Sequence, residues 1–118
     1  MTFKSVLVGC AAACFSLTSF AAEETFPTNV ERVLVDDSRY AGCMILLSDD
    51  PQQYLPDCGQ FWVTLDCLNL FPESAEGISQ NKLSQAQLAL VSGREITVRV
   101  TDRRIANGYC FAQRVDVK

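Results

Sequence analysis

The chain has 118 residues, 48% of them hydrophobic, with fourteen acidic against ten basic side chains, a net charge of −4 and no histidine. That length suits one small domain. The acidic balance works against binding a phosphate backbone or an anionic membrane surface, and the missing imidazole excludes a Ser–His–Asp triad, a Cys–His pair and an ordinary zinc hydrolase site.

The first 21 residues read as a secretory leader rather than as part of the fold. Lys4 supplies the positive start, "VLVGCAAACFSL" the apolar stretch, and Ser19 and Ala21 the small residues that a cut after Ala21 requires, with a cut after Ala22 the near alternative. The stretch is short of the roughly 20 apolar residues that a membrane span needs. Leu7-Val8-Gly9-Cys10 also resembles a lipobox, but a cut there would leave an apolar core of about half the usual length. Residues 22–118 then form the mature domain, one unit more negative once Lys4 is gone. The site of action is the periplasm or the exterior.

In the mature chain, "AEETFPTN" is polar and contains a proline, which predicts a loose amino end. Residues 30–37 alternate as a first strand, and "DDSRYAG" is rich in turn formers. The nearly unbroken apolar run "GCMILLS" predicts a second strand covered on both faces. Two prolines and three aspartates make residues 49–59 a loop. Residues 60–67 alternate again, with Phe61, Val63, Leu65 and Cys67 on one face and Trp62, Thr64 and Asp66 on the other.

The period changes in "SQNKLSQAQLALVSG". Leu83, Ala86 and Leu90 stand three and four apart, Ser79 or Asn81 can cap the start, and Gly93 suits the end, so residues 79–93 predict one helix. "REITVRVTD" follows as a strand with Ile96, Val98 and Val100 inward. A loop "DRRIANG" leads to a closing strand whose expected inner row is Tyr109, Phe111, Val115 and Val117, interrupted by Gln113. The order strand, strand, strand, helix, strand, strand is that of the five-stranded OB-fold, a mainly β Greek-key barrel with one helix. In such a barrel the last strand lies between the third and the fourth.

Six cysteines become four when the leader is removed: Cys43, Cys58, Cys67 and Cys110. In an exported chain of this size they read as two disulfides. Placing strands two and three as an antiparallel pair puts Cys43 opposite Cys67, which leaves Cys58 for Cys110. The pairing Cys43–Cys58 with Cys67–Cys110 stays open.

No residue set reads as catalytic, metal-binding or cofactor-binding. Asp36-Asp37 and Asp49-Asp50 fall where turns are expected and read as solvated turn formers, and the spacing of an EF-hand is absent. Binding is the open possibility. Trp62, with Thr64 beside it on the same face, is a platform for a sugar ring or a partner surface, against the plainer reading that the helix or a loop covers it. Tyr40 and Tyr54 lie in loops and could stack on a ligand; the plainer reading is that they only pack. Arg103 and Arg104 fall in the loop between strands four and five, where an OB-fold lines its binding side; the plainer reading is two solvated arginines.

"AQLALVSGREITVRV" followed by "CFAQRVDV" resembles the helix-then-strands half of small exported bacterial proteins, among them the B subunits of AB5-type toxins such as subtilase cytotoxin. The matching positions are Ala89, Leu90, Gly93, Ile96, Val98 and Val100. The resemblance implies an OB-fold, ring-like homo-oligomers and glycan binding. It carries over no sugar-contact residue, because none can be matched in the first half, and the acidic loop and cysteine spacing depart from the family. The expectation is a non-catalytic exported module that recognises a glycan or a protein through the barrel face near Trp62. The alternative is a small structural or inhibitory protein acting on another exported protein.

Overall fold

The computed structural model describes residues 22–118; the leader expected over residues 1–21 lies outside the described residues. Strands β1 (Glu23–Thr28) and β2 (Val30–Val35) open the domain, followed by a 3-10 turn at Tyr40–Gly42 and β3 (Cys43–Leu47). A second 3-10 turn at Pro51–Gln53 leads to β4 (Trp62–Thr64), helix α1 (Ile78–Ser92), β5 (Ile96–Ala106) and β6 (Tyr109–Val117). The strands make one six-stranded sheet in the order β1-β5-β6-β4-β3-β2. Every neighbouring pair is antiparallel except β4 with β6. Strand β6 thus lies between β4 and β5.

The two edge strands are separated in sequence by Asn29 alone. The sheet must therefore curl until its edges meet there. Ser48 secures the junction: its Oγ accepts from Asn29 N at 3.1 Å and lies 3.2 Å from Thr28 Oγ1, which itself accepts from Asp49 N at 3.1 Å.

The amino end is not loose, and the sheet has six strands rather than five. β1 pairs with β5 from Glu23 opposite Thr101 to Thr28 opposite Ile96. Pro27 is tolerated because β1 is an edge strand, where a missing N–H need not cost a ladder bond. Phe26 is buried and stacks on Tyr54 with centroids 4.4 Å apart. Polar composition pointed to a loop, and pairing with β5 overrides it.

The core joins Ile45, Leu47, Val63, Leu65, Ile96, Val98 and Val100 to Ala86 and Ala89 of the helix. Helix α1 begins after Gly77 (φ 83°), not at Ser79 or Asn81, and ends at Gly93 (φ 69°), whose N–H donates to Ala89 O. Its buried stripe is Ser79, Lys82, Ala86 and Ala89, while Leu90 and Val91 face outward. The small Ala86 and Ala89 let the helix approach β6 and β2 closely, so the inward stripe is set by size rather than by the spacing of the leucines.

Two further expectations change for one reason, extra residues in the β5–β6 pair. The register moves from Arg99 opposite Arg114 to Val100 opposite Ala112, leaving Gln113 as a bulge. A bulge reverses the parity of the strand. Val115 and Val117 therefore pack toward the core on one side of it, and Ala112 and Cys110 on the other. The expected loop 102–108 is mostly strand. β5 continues to Ala106, and the chain reverses through Asn107 (φ 53°) and Gly108 (φ 89°), the two left-handed residues of a tight hairpin turn.

Disulfides join Cys43 to Cys67 and Cys58 to Cys110, with Cα separations of 5.5 and 5.2 Å. Cys67 does not oppose Cys43 directly. Met44 faces Thr64, and Leu65 N donates to Cys43 O at 3.0 Å. β4 stops after three residues, and Asp66 (φ 59°) then turns the chain so that Cys67 arrives beside Cys43.

Candidate functional site

The long connection from β3 to β4 is folded back on itself by side chains. Asp50 Oδ1 accepts from Gln52 N at 3.0 Å and from Phe61 N at 3.2 Å. Gln52 Nε2 donates to Cys58 O at 2.7 Å. Phe61 (φ 62°) is thereby held at the entrance of β4, outside the alternation expected of it, with its side chain 40% exposed.

Cys58–Cys110 then ties this loop to the β5–β6 hairpin. The next residue on each side, Gly59 and Tyr109, are in contact. A Cβ on Gly59 would come within 2.5 Å of the Tyr109 ring and 2.8 Å of Gly108 O. A side chain at Gly59 would have to displace the ring.

Between these walls is an open cleft of about 700 Å³. Its aromatic surfaces are Phe61, Trp62 and Tyr109, and its polar groups are Glu31 of β2, Gln60 and Asn107. Trp62 is half-buried and lines this cleft, and the Arg32 guanidinium sits 5.6 Å from its ring centroid. Rings that present an apolar face beside amide and carboxylate groups suit a ligand that is apolar on one face and rich in hydroxyls at its rim.

The other sequence candidates divide. Tyr40 stands just behind the cleft, edge-to-face with Tyr109 at 5.9 Å, and its N–H donates to Asn107 Oδ1 at 2.9 Å. Thr64 does not share an open face with Trp62. It is fully buried and donates to Tyr40 O at 2.7 Å, with Cys43 O at 3.1 Å. Both residues brace the cleft from inside. Arg103 and Arg104 lie on the far part of β5, not in a loop, and are paired with Glu23 at 3.6 Å and Glu73 at 3.0 Å. Tyr54 is occupied by Phe26. Phe61, Gln60, Glu31, Asn107 and Tyr109 escaped the sequence reading. The Asn107-Gly108 dipeptide, a strong hairpin signal, and the Cys58–Cys110 pairing could have brought most of them together.

A second polar cluster lies inside the domain. Asp66, fully buried, accepts from Leu70 N and Phe71 N at 2.8 Å each and from Ser74 Oγ at 2.5 Å. Lys82, 6% exposed, donates to Ala112 O at 2.8 Å with its ammonium 4.2 Å from the Phe111 ring centroid. Burial lowers its pKa to about 8, against the opposing pull of the Asp66 charge. Ser79 Oγ is buried on the same helix face without a hydrogen-bond partner among the described residues. These groups fasten the helix and the connection after β4. The acid-rich turns behave as turn chemistry does: Asp36 Oδ1 accepts from Ser38 N and Arg39 N, which lowers its pKa.

Among the described residues no group of three or more Cys, Asp or Glu is placed to hold a metal ion, and no helix is long and apolar enough to cross a membrane. Comparison with known proteins finds no matching family model, no similar curated protein and no similar solved structure.

Proposed function

We propose that the protein is an exported, non-catalytic binding module of OB-fold type that takes a glycan in the cleft formed by Phe61, Trp62 and Tyr109. The fold assignment rests on connectivity. If β1 and β2 are one strand interrupted at Asn29, the order becomes a ring of five, with the helix between the third and fourth and a parallel contact between the third and last. That is the OB-fold arrangement, whose second and third strands and last hairpin are its usual ligand face. Those are β3, β4 and the Asn107-Gly108 turn, the elements that line the cleft. The two disulfides suit an oxidising compartment outside the cytoplasm.

The observation that carries the reading is the aromatic cleft itself, held open by Cys58–Cys110 and by Gly59. Sugars stack on such rings through their C–H faces and spend their hydroxyls on Glu31, Gln60 and Asn107. The Glu31 carboxylate in the lining and the net negative charge of the chain favour an uncharged sugar over a polyanion. Glycan binding also agrees with what the toxin B-subunit resemblance implies. The test is a glycan array followed by isothermal titration calorimetry of the parent and of Trp62→Ala, a readout that survives removal of the chain's single tryptophan. Binding that Trp62→Ala weakens by tenfold or more supports the proposal. Binding indifferent to that substitution, or none to any sugar with tight capture of a defined envelope protein, moves the assignment to the structural or inhibitory alternative.

A further inference from the structure

At the amino end of β1 the backbone of Ala22 is held at three points. Its N–H donates to Asp102 Oδ1 at 2.7 Å, and its carbonyl accepts from Asp102 N at 3.2 Å and from Thr101 Oγ1 at 3.1 Å. Asp102 reaches this position because the β5–β6 register breaks after Thr101 and resumes at Ile105, so the intervening residues leave the ladder. Arg103 N donates to Thr101 Oγ1 at 3.1 Å and fixes the bulge. A backbone amide has one proton to offer a carboxylate. A free chain end has three, and a positive charge.

The leader reading independently places a cut between Ala21 and Ala22, at the nitrogen that Asp102 receives. Hydrolysis of that bond consumes one water: its oxygen goes to the Ala21 carbonyl, which leaves as a carboxylate, and both its hydrogens end on the Ala22 nitrogen, which becomes an ammonium. We infer that Asp102 is a built receptor for the α-ammonium set free by cleavage after Ala21, so that removal of the leader completes an ion pair locking β1 onto β5. An ionised donor on an ionised acceptor makes a stronger hydrogen bond than the amide did.

The neighbouring carboxylate of β1 has partners of its own. The Glu23 carboxylate is engaged by Arg103 at 3.6 Å and by Gln113 Nε2 at 3.0 Å. The lock is specific to one chain start. A cut after Ala22 would remove its donor, and one extra residue would carry the ammonium past Asp102.

The experiment exports the full precursor in a bacterial host and reads the intact mass of the mature protein. Its unmodified α-amine is then titrated by NMR through the carbon-13 shifts of Ala22. The expected results are a chain beginning at Ala22 and a midpoint at least one pH unit above the ordinary α-amino range of about 7.7–8.0, a tenfold preference for the charged form. Asp102→Asn, which keeps an oxygen acceptor, returns the midpoint to the ordinary range. So does a parent chain with one glycine added before Ala22, the control should the Asn variant fail to fold. A mature chain beginning elsewhere, an ordinary midpoint in the parent, or equal midpoints in parent and variants overturns the inference. None of these readouts depends on what the cleft binds.

Discussion

Gly59 acts through the side chain it lacks. Alanine there would press a carbon to 2.5 and 2.7 Å from two atoms of the Tyr109 ring. Tyr40 also meets the ring edge-on at 5.9 Å. Gly59→Ala should cost about 1–3 kcal/mol in urea unfolding, the usual range for forced overpacking, and should weaken sugar binding by displacing one wall of the cleft. Unchanged stability together with unchanged binding would show that the Tyr109 contact has no part in shaping it. Lys82 poses the opposite problem, a charge that the fold buries to donate to Ala112 O. Its folded pKa is about 8 against an ordinary 10.5. Between those values the unfolded chain keeps the proton and the folded chain releases it, so stability rises with pH across that interval. The penalty for burying the ammonium is complete below about pH 8. The urea midpoint of the parent should therefore climb between pH 7.5 and 9.5, and Lys82→Met, which keeps the length without the charge, should flatten the climb. Equal slopes in the two proteins would remove Lys82 as its source.

At the scale of elements, the parts most legible in the sequence were those whose side chains answer to one neighbour at a time. The alternation in Ile96, Val98 and Val100 and the apolar run of β3 report a sheet face directly, and Gly93 reports the end of a helix. What stayed hidden depends on partners distant in sequence. β1 is a strand because β5 is there to pair with it, and Asp66 is buried because Ser74 and two amides of the following connection surround it. The bulge at Gln113 hid a whole face, since one extra residue moved Cys110 and Ala112 from outside to core. The cysteine pairing was favoured for a reason only partly right: β4 is too short to carry Cys67 opposite Cys43, and the turn at Asp66 does that work. For the site, Trp62 was visible from alternation, but its neighbours in the cleft come from three separate segments. The two bridges should accordingly differ in their effects. Removing Cys58–Cys110 as a double Ser variant should cost roughly 3–4 kcal/mol on the loop-entropy estimate and also release the cleft walls. Removing Cys43–Cys67 should cost a comparable amount and leave the walls joined. Compared at a temperature where both variants are folded by near-ultraviolet circular dichroism, only the first should lose sugar affinity. Equal losses would deny the Cys58–Cys110 bridge its particular role in the site.

Across the whole molecule, one peptide segment decides whether the sheet is closed or open. β1 and β2 occupy opposite edges of the sheet yet are joined through Asn29, so the pairing of β1 with β5 closes what would otherwise be a five-stranded curled sheet with a bare β5 edge. That edge would span Ile96 to Thr101, alternating Val and Ile with polar residues, and an exposed ladder of this kind recruits other chains. β1 also brings Phe26 into the core, where it covers the loop after β3 through its stack on Tyr54. Deletion of residues 22–28 tests both contributions together. A loose amino end would make the deletion silent. Closure by β1 predicts a loss of at least the 3–5 kcal/mol typical of truncating a buried Phe, and association of the folded fraction through the uncovered edge. Sedimentation velocity and urea unfolding, run on the deletion and on Phe26→Ala, separate the two effects. Phe26→Ala should lower stability yet remain monodisperse relative to the parent, because its ladder to β5 is intact, whereas the deletion should shift to larger species. A deletion variant with the parent's sedimentation profile would mean that β5 is protected without β1.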